Sequence, residues 1–379
     1  MSADERAMAR THGLALRDPA RPELGWRQTA PATKGVHMTT RTNPRPKWSI
    51  TLIAVVLTLV LAAFAVPAAS SANKHKVDGV QAKVKHGTLE VKGSHLADAI
   101  ALRLKAGDAS QVQVDVGDDG SADFSFARRG VSAIDVDSGR GNDSVRIDDT
   151  NGGFTDSIPT TISGGQGDDS LHGGLGAESF RGDGGNDTVV GGKGNDVAYL
   201  GAGDDTFRWD PGDGSDVIEG QDGTDAMLFN GASADENVTL TANGGRLTFF
   251  RDVAKITMDT NGVETVDFNA LGGKDNITVN DLTGTDVTQT NVDLAGTLGG
   301  SSADGAVDNV VVNGTNGDDA IHIDGSRTQV DVTGLATAVS VKHADPTDSL
   351  SVNTFAGKNS VFVNGVAGLL QLLVDGAPV

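Results

Sequence analysis

One nine-residue phrase, repeated in a single frame, limits what this chain can fold into. From Gly164 the sequence reads GGQGDDSLH, GGLGAESFR, GDGGNDTVV, GGKGNDVAY and LGAGDDTFR without a gap. After a two-residue insertion, Trp209-Asp210, the frame resumes as PGDGSDVIE and GQDGTDAML and ends at Leu228; an isolated copy, SGRGNDSVR, begins upstream at Ser138. The fourth position is always glycine. The sixth is acidic: Asp143, Asp169, Glu178, Asp187, Asp196, Asp205, Asp216 and Asp225. The eighth is apolar: Val145, Leu171, Phe180, Val189, Ala198, Phe207, Ile218 and Met227. The pattern reads as a turn of about six residues, in which glycines supply left-handed dihedrals, then a strand of about three that sends one side chain inward. A flexible Gly/Asp linker would have no reason to hold the eighth position apolar.

Coils built this way stack as parallel strands about 4.8 Å apart, and their carboxylates stack with them. At about 5 Å and an effective dielectric of about 20, each stacked pair repels by roughly 3 kcal/mol. Several such pairs rival the whole stability of a domain, about 5–15 kcal/mol. A counterion is therefore expected, and calcium suits the site: it takes six to eight oxygens in flexible geometry and can join two carboxylates to turn carbonyls. Folding and binding then become one event.

These residues resemble the repeats-in-toxin, or hemolysin-type, calcium-binding proteins and their pattern GGxGxDxUx. The resemblance implies a right-handed parallel β-roll with two nonapeptides per coil and several Ca2+ ions between turns two repeats apart. Asp169, Asp187 and Asp205 would line one edge. Glu178 and Asp196 would line the other, with Asp216 and Asp225 continuing beyond the insertion in a phase the sequence leaves open. Asp143 belongs to the isolated copy, which reads either as a genuine site or as a plain β-turn. Glu178 is one methylene longer than the family aspartate, Leu200 and Pro211 replace first-position glycines, and Gln221 replaces a second-position glycine; those sites are expected to bind more weakly or not at all.

Looser echoes flank the roll. AIDVDSGRGNDSVRID from Ala133, TVDFNALGGKDNITVN from Thr265 and SLSVNTFAGKNSVFVN from Ser349 each read as strand, glycine turn, strand. Their turn residue changes from Asp143 to Asp275 to Asn359, so metal-binding potential declines along the chain. Asp98 and Asp319 also stand two residues before an isoleucine. The fold class expected is all-β: a parallel β-roll flanked by irregular β-solenoid or β-helix-like segments. GVAGLLQLLVDG, from Gly365, reads as a closing strand or a capping helix.

Composition agrees with a thin, layered body. The chain of 379 residues has 51 glycines and 4% aromatics. Its net charge is -21, and from Asn73 onward 47 acidic residues face 21 basic ones, a balance of -26. Cations are the expected partners; nucleic acid and anionic membranes are not. With no cysteine, disulfides and thiolate metal sites are excluded, leaving metal ions as the staple. HExxH, GxSxG and P-loop motifs are absent from the sequence. The histidines after residue 72 are scattered without metal-ligand spacing. No enzymatic role is expected. Trp209 reads as a hydrophobic plug over the insertion more readily than as a sugar platform.

Met38 opens a segment in which Arg41, Arg45 and Lys47 precede an apolar run from Ser49 to Val66, followed by a small-residue box ending at Ala72. This reads as an N-terminal Sec-type signal peptide. The expected organisation is a disordered leader or mis-assigned start at 1–37, the signal peptide at 38–72, an N-terminal β segment at 73–137, the roll at 138–231 and a C-terminal solenoid-like segment at 232–379. The product would be secreted or held at the cell surface as a non-catalytic calcium-binding protein, without stable membrane insertion. The alternatives are a surface structural or adhesive protein that self-associates or meets a surface polymer, and, further off, a polysaccharide-acting enzyme.

Overall fold

Strand-forming residues alternate inward and outward throughout the body of the chain, and two facing sheets take up the inward set. The computed structural model describes residues 75–77 and 79–379. The leader at 1–37 and the signal peptide at 38–72 lie outside the described residues. Among the described residues, regular structure is all strand apart from three short 3-10 turns. One sheet has 16 strands and the other 14. The fold is the expected all-β roll within a solenoid.

In the roll the chain crosses from one sheet to the other at every nonapeptide. Thr160–Gln166, Glu178–Gly184, Val197–Ala202 and Val217–Asp222 pair in parallel in the first sheet. Ser144–Asp148, Ser170–His172, Thr188–Val190, Thr206–Trp209 and Ala226–Asn230 do so in the second. A coil is thus two nonapeptides. Strands of the second sheet begin as the short segments the pattern predicts, whereas those of the first run on through the opening residues of the next turn.

Eighth-position side chains form the core. Val145, Leu171, Val189, Phe207 and Met227 stack in register from the second sheet, and Phe180, Ala198 and Ile218 from the first; none is solvent-exposed. Pairing at the second sheet carries Asp143's copy directly onto the roll, with Val145 opposite Leu171. The isolated repeat is a genuine coil.

The flanks depart from a simple solenoid by inserting antiparallel strands. Ala99–Lys105, Asp108–Val116 and Phe124–Ala127 form one meander. Asn237–Asn243, Arg246–Arg251 and Ile256–Asn261 form a second, and Ala320–Ser326, Gln329–Thr333 and Ala338–Lys342 a third. Between them the coils are parallel again, and both sheets cross residues 138 and 231 unbroken. The segment after Gly365 closes as a strand, Gln371–Val374, not a helix.

The two-residue insertion is absorbed around Trp209. Its ring is buried and stacks on Phe229 of the next coil, centroids 4.0 Å apart and 3° from parallel. Phe249 and Phe268 continue the cluster, and Trp209 Nε1 donates to Gly214 O at 2.8 Å. Trp209 is a plug, not a platform. Trp209→Ala is expected to cost about 3–5 kcal/mol by urea denaturation in calcium; a loss below about 1 kcal/mol would show that the insertion needs no filling.

Candidate metal centre

The sixth-position acids are placed by the turn that precedes them. At Gly203, φ is 141° and a β-carbon would lie 2.0 Å from Gly185 O of the neighbouring coil, so only glycine lets successive turns close on one another. At Gly191 a β-carbon would lie 2.5 Å from Asp196 Oδ2. The carboxylate folds back over the first residue of its own phrase.

All eight predicted acids are buried, none more than 3% exposed, and they fall into two columns. On one edge each backbone N–H donates to the carboxylate one coil further on: Asp143 to Asp169 (2.7 Å), Asp169 to Asp187 (2.8 Å), Asp187 to Asp205 (2.7 Å) and Asp205 to Asp225 (3.0 Å). Asp98 starts this column and Glu264 ends it. On the other edge Glu178 donates to Asp196 (2.7 Å) and Asp196 to Asp216 (2.9 Å). The insertion therefore lengthens the coil without changing its phase: Asp216 continues one column and Asp225 the other.

Each ladder bond uses one carboxylate oxygen and leaves the second bare. Oδ2 of Asp143, Asp169, Asp187, Asp196, Asp205, Asp216 and Asp225, and Oε1 of Glu178, are buried without a hydrogen-bond partner among the described residues. Glu178 is the longer acid and its other oxygen reaches back to Gly174 N–H, 2.8 Å away in its own turn. A buried carboxylate without partners is costly. Burial is the main cause that pushes Asp196 up to about 9, Asp187 and Asp216 to about 7, and Asp143, Asp169 and Asp225 to about 6. Asp205 and Glu178 are raised by the same cause.

Three acids in the flanks differ. Asp98 Oδ2 takes Ser94 N–H at 2.6 Å, Asp319 Oδ2 takes Thr315 N–H at 3.0 Å and Asp348 Oδ2 takes Asp345 N–H at 2.7 Å. Their second oxygens are satisfied by the protein itself. Asn359 is structural: its Oδ1 accepts Asp319 N–H and its amide donates to Thr354 O and Ala356 O.

The sequence pattern misses a further ladder, Glu236 to Asp275 to Asp308 to Asp348, with bonds of 2.8–2.9 Å. Its signal is an acid two residues before an apolar one, as at Asp98 and Asp319. At its head Arg251 pairs with Glu236 Oε1, both residues buried, while Glu236 Oε2 has no hydrogen-bond partner among the described residues. A side-chain cation faces that carboxylate.

The donor set suits a hard cation. Among the described residues, no group of three or more His, Cys, Asp or Glu side chains converges on one point. An ion there would draw on one or two carboxylates and on main-chain carbonyls, the mixed oxygen shell that calcium accepts and tetrahedral zinc does not. The calcium-binding nonapeptide repeat of the RTX family is matched in four copies, over residues 160–189, 181–208 and 212–231. No curated protein matches the chain.

Proposed function

We propose, for a chain that carries RTX calcium-binding repeats over residues 160–231, that calcium ions between adjacent coils hold the roll closed. Asp143, Asp169, Glu178, Asp187, Asp196, Asp205, Asp216 and Asp225 would supply the carboxylates. The observation that carries this reading is the set of eight buried oxygens without partners, one on each of these residues. Bound calcium would supply positive charge to those oxygens and turn their mutual repulsion into a cross-link. The chain's own residues set the columns: the N–H ladder orients seven of the eight carboxylates, Gly174 N–H holds that of Glu178, and the eighth-position core fixes the coil spacing.

The role that follows is structural and non-catalytic. The protein works outside the cytosol, where calcium is abundant enough for weak sites of about 10⁻⁴–10⁻³ M. Among the described residues, no helix is long and apolar enough to cross a membrane. Calorimetric titration of the full chain with calcium, followed in parallel by circular dichroism, tests the reading. Saturable heat together with a gain in strand signal that a chelator reverses is expected. Heat without spectral change would leave calcium outside folding, and neither change would end the proposal.

A further inference from the structure

Within Gly164–Leu228 the second position of the repeat is glycine except at Asp183 and Gln221. Both hold left-handed dihedrals, with φ of 71° and 79°. Such backbone is strained for an ordinary side chain, less so for aspartate. Residues kept under strain of this kind concentrate where their side chains are used.

Strand pairing brings these two together. Asp183 is in register with Gly201, and Gly201 with Gln221. Two residues earlier on the same face, Arg181 is in register with Tyr199. Gly201 contributes no side chain, so a shallow depression of about 270 Å³ opens over it, lined by Arg181, Asp183, Tyr199 and Gln221. It cannot be filled from below, because a β-carbon at Gly201 would lie 2.4 Å from Asp183 O. Asp183 and Gln221 stand two strand spacings apart, about 9.6 Å.

Among the described residues, none of the four lining side chains makes a hydrogen bond or ion pair with another group. Glu219, next to Tyr199 on the same row, is already committed to Arg246 at 2.7 Å. Tyr199 is the only tyrosine of the chain and is 41% exposed. An open aromatic face bordered by a donor-only, an acceptor-only and a two-way polar side chain is the chemistry that recognises a ring carrying hydroxyls.

We propose that this depression binds a neutral hexopyranose unit of a glycan. The C–H face of the sugar lies on the electron-rich face of the Tyr199 ring. Arg181 donates to its hydroxyls, Asp183 accepts from them, and Gln221 does both. Arg181 and Asp183 cancel in charge, and the chain's net charge of -21 repels polyanions, so the neutral class is selected over acidic glycans. The site is open, and its affinity is on the order of millimolar.

Saturation-transfer NMR of the calcium-loaded full chain with cellohexaose, maltohexaose and chitohexaose tests this, with oligogalacturonate as the charged comparison. Transfer to ring C–H protons of at least one neutral probe, and weaker transfer to the acidic one, is expected. Tyr199→Ala should weaken binding at least about tenfold and Tyr199→Phe should keep it. Asp183→Gly and Gln221→Gly should each weaken binding yet raise the urea midpoint, since glycine relieves the left-handed strain. Absence of transfer to every neutral probe, preference for oligogalacturonate, or unchanged binding in the two glycine variants would overturn the proposal.

Discussion

In chelating buffer the protein is expected to be most stable in mild acid and to loosen as the pH rises. Burial raises the folded values of Asp143, Asp169 and Asp225 to about 6, Asp187 and Asp216 to about 7, and Asp196 to about 9, from 3.8 for each. Over those intervals the fold holds protons that the unfolded chain has lost. Unfolding then releases protons, so raising the pH favours it. The contribution is complete below 3.8, falls most steeply between 3.8 and about 6 while all six groups act together, and between about 7 and about 9 rests on Asp196 among these six. If calcium is held by these carboxylates as proposed, it requires them deprotonated, and its affinity should rise with pH across this window. Urea midpoints at about pH 5 and about pH 8 check both signs. The chelated midpoint should fall between them and the gap to the calcium-loaded midpoint should widen. A chelated midpoint that climbs instead would mean that the bare oxygens carry no penalty.

The periodic part of this architecture is readable because one phrase encodes three things at once. Its glycines set the turn, its sixth residue the column, and its eighth residue the core. The two nonapeptides per coil that the family resemblance implies then place Asp169, Asp187 and Asp205 on one edge and Glu178 and Asp196 on the other, as the ladders do. What spacing cannot convey is how an insertion is absorbed. Trp209 and Asp210 lengthen one coil from 18 to 20 residues between ladder partners, and the phase survives because the ring of Trp209 continues the stack onto Phe229. The meanders are hidden for a different reason. An antiparallel hairpin such as Asn237–Asn243 with Arg246–Arg251 alternates inward and outward with the same period of two as a solenoid strand.

That second meander also explains why the unrecognised ladder begins where it does. It separates Val217–Asp222 from Asn276–Val279 in the first sheet, so the column ending at Asp216 does not continue into Glu236. Glu236 occupies the sixth position of a worn phrase, GASADENVT, whose fourth residue is Ala234, and no glycine signature marks it. Arg251 reaches it from the hairpin's second strand, a pairing across 15 residues that no local pattern announces. The depression over Gly201 is likewise a product of register: its four residues lie on three coils and become neighbours only when the strands pair.

Asp196→Asn is expected to act with opposite signs in chelator and in calcium. The side chain is 1% exposed, and its Oδ1 accepts Glu178 N–H at 2.7 Å, a bond asparagine can keep. With a folded value of about 9 against 3.8 unfolded, keeping the fold at pH 7 costs about 4 kcal/mol through this one group. The amide removes that cost but leaves its own NH2 without an assigned acceptor, which returns about 1–3 kcal/mol. The chelated protein should therefore gain about 1–3 kcal/mol. On the proposed reading the variant loses, in calcium, a charged ligand from the middle of its column, and each tenfold fall in affinity removes about 1.4 kcal/mol of ligand-linked stability. Asp204→Asn is the control, because Asp204 carries the same charge on the exposed side and its Oδ1 accepts Thr224 N–H at 2.9 Å; it should move stability by no more than about 0.5 kcal/mol in either buffer. Unfolding free energies from urea titrations with chelator and with calcium decide the matter. If Asp196→Asn shifts both in the same direction, the carboxylate is an ordinary buried acid and the column needs no ion to close.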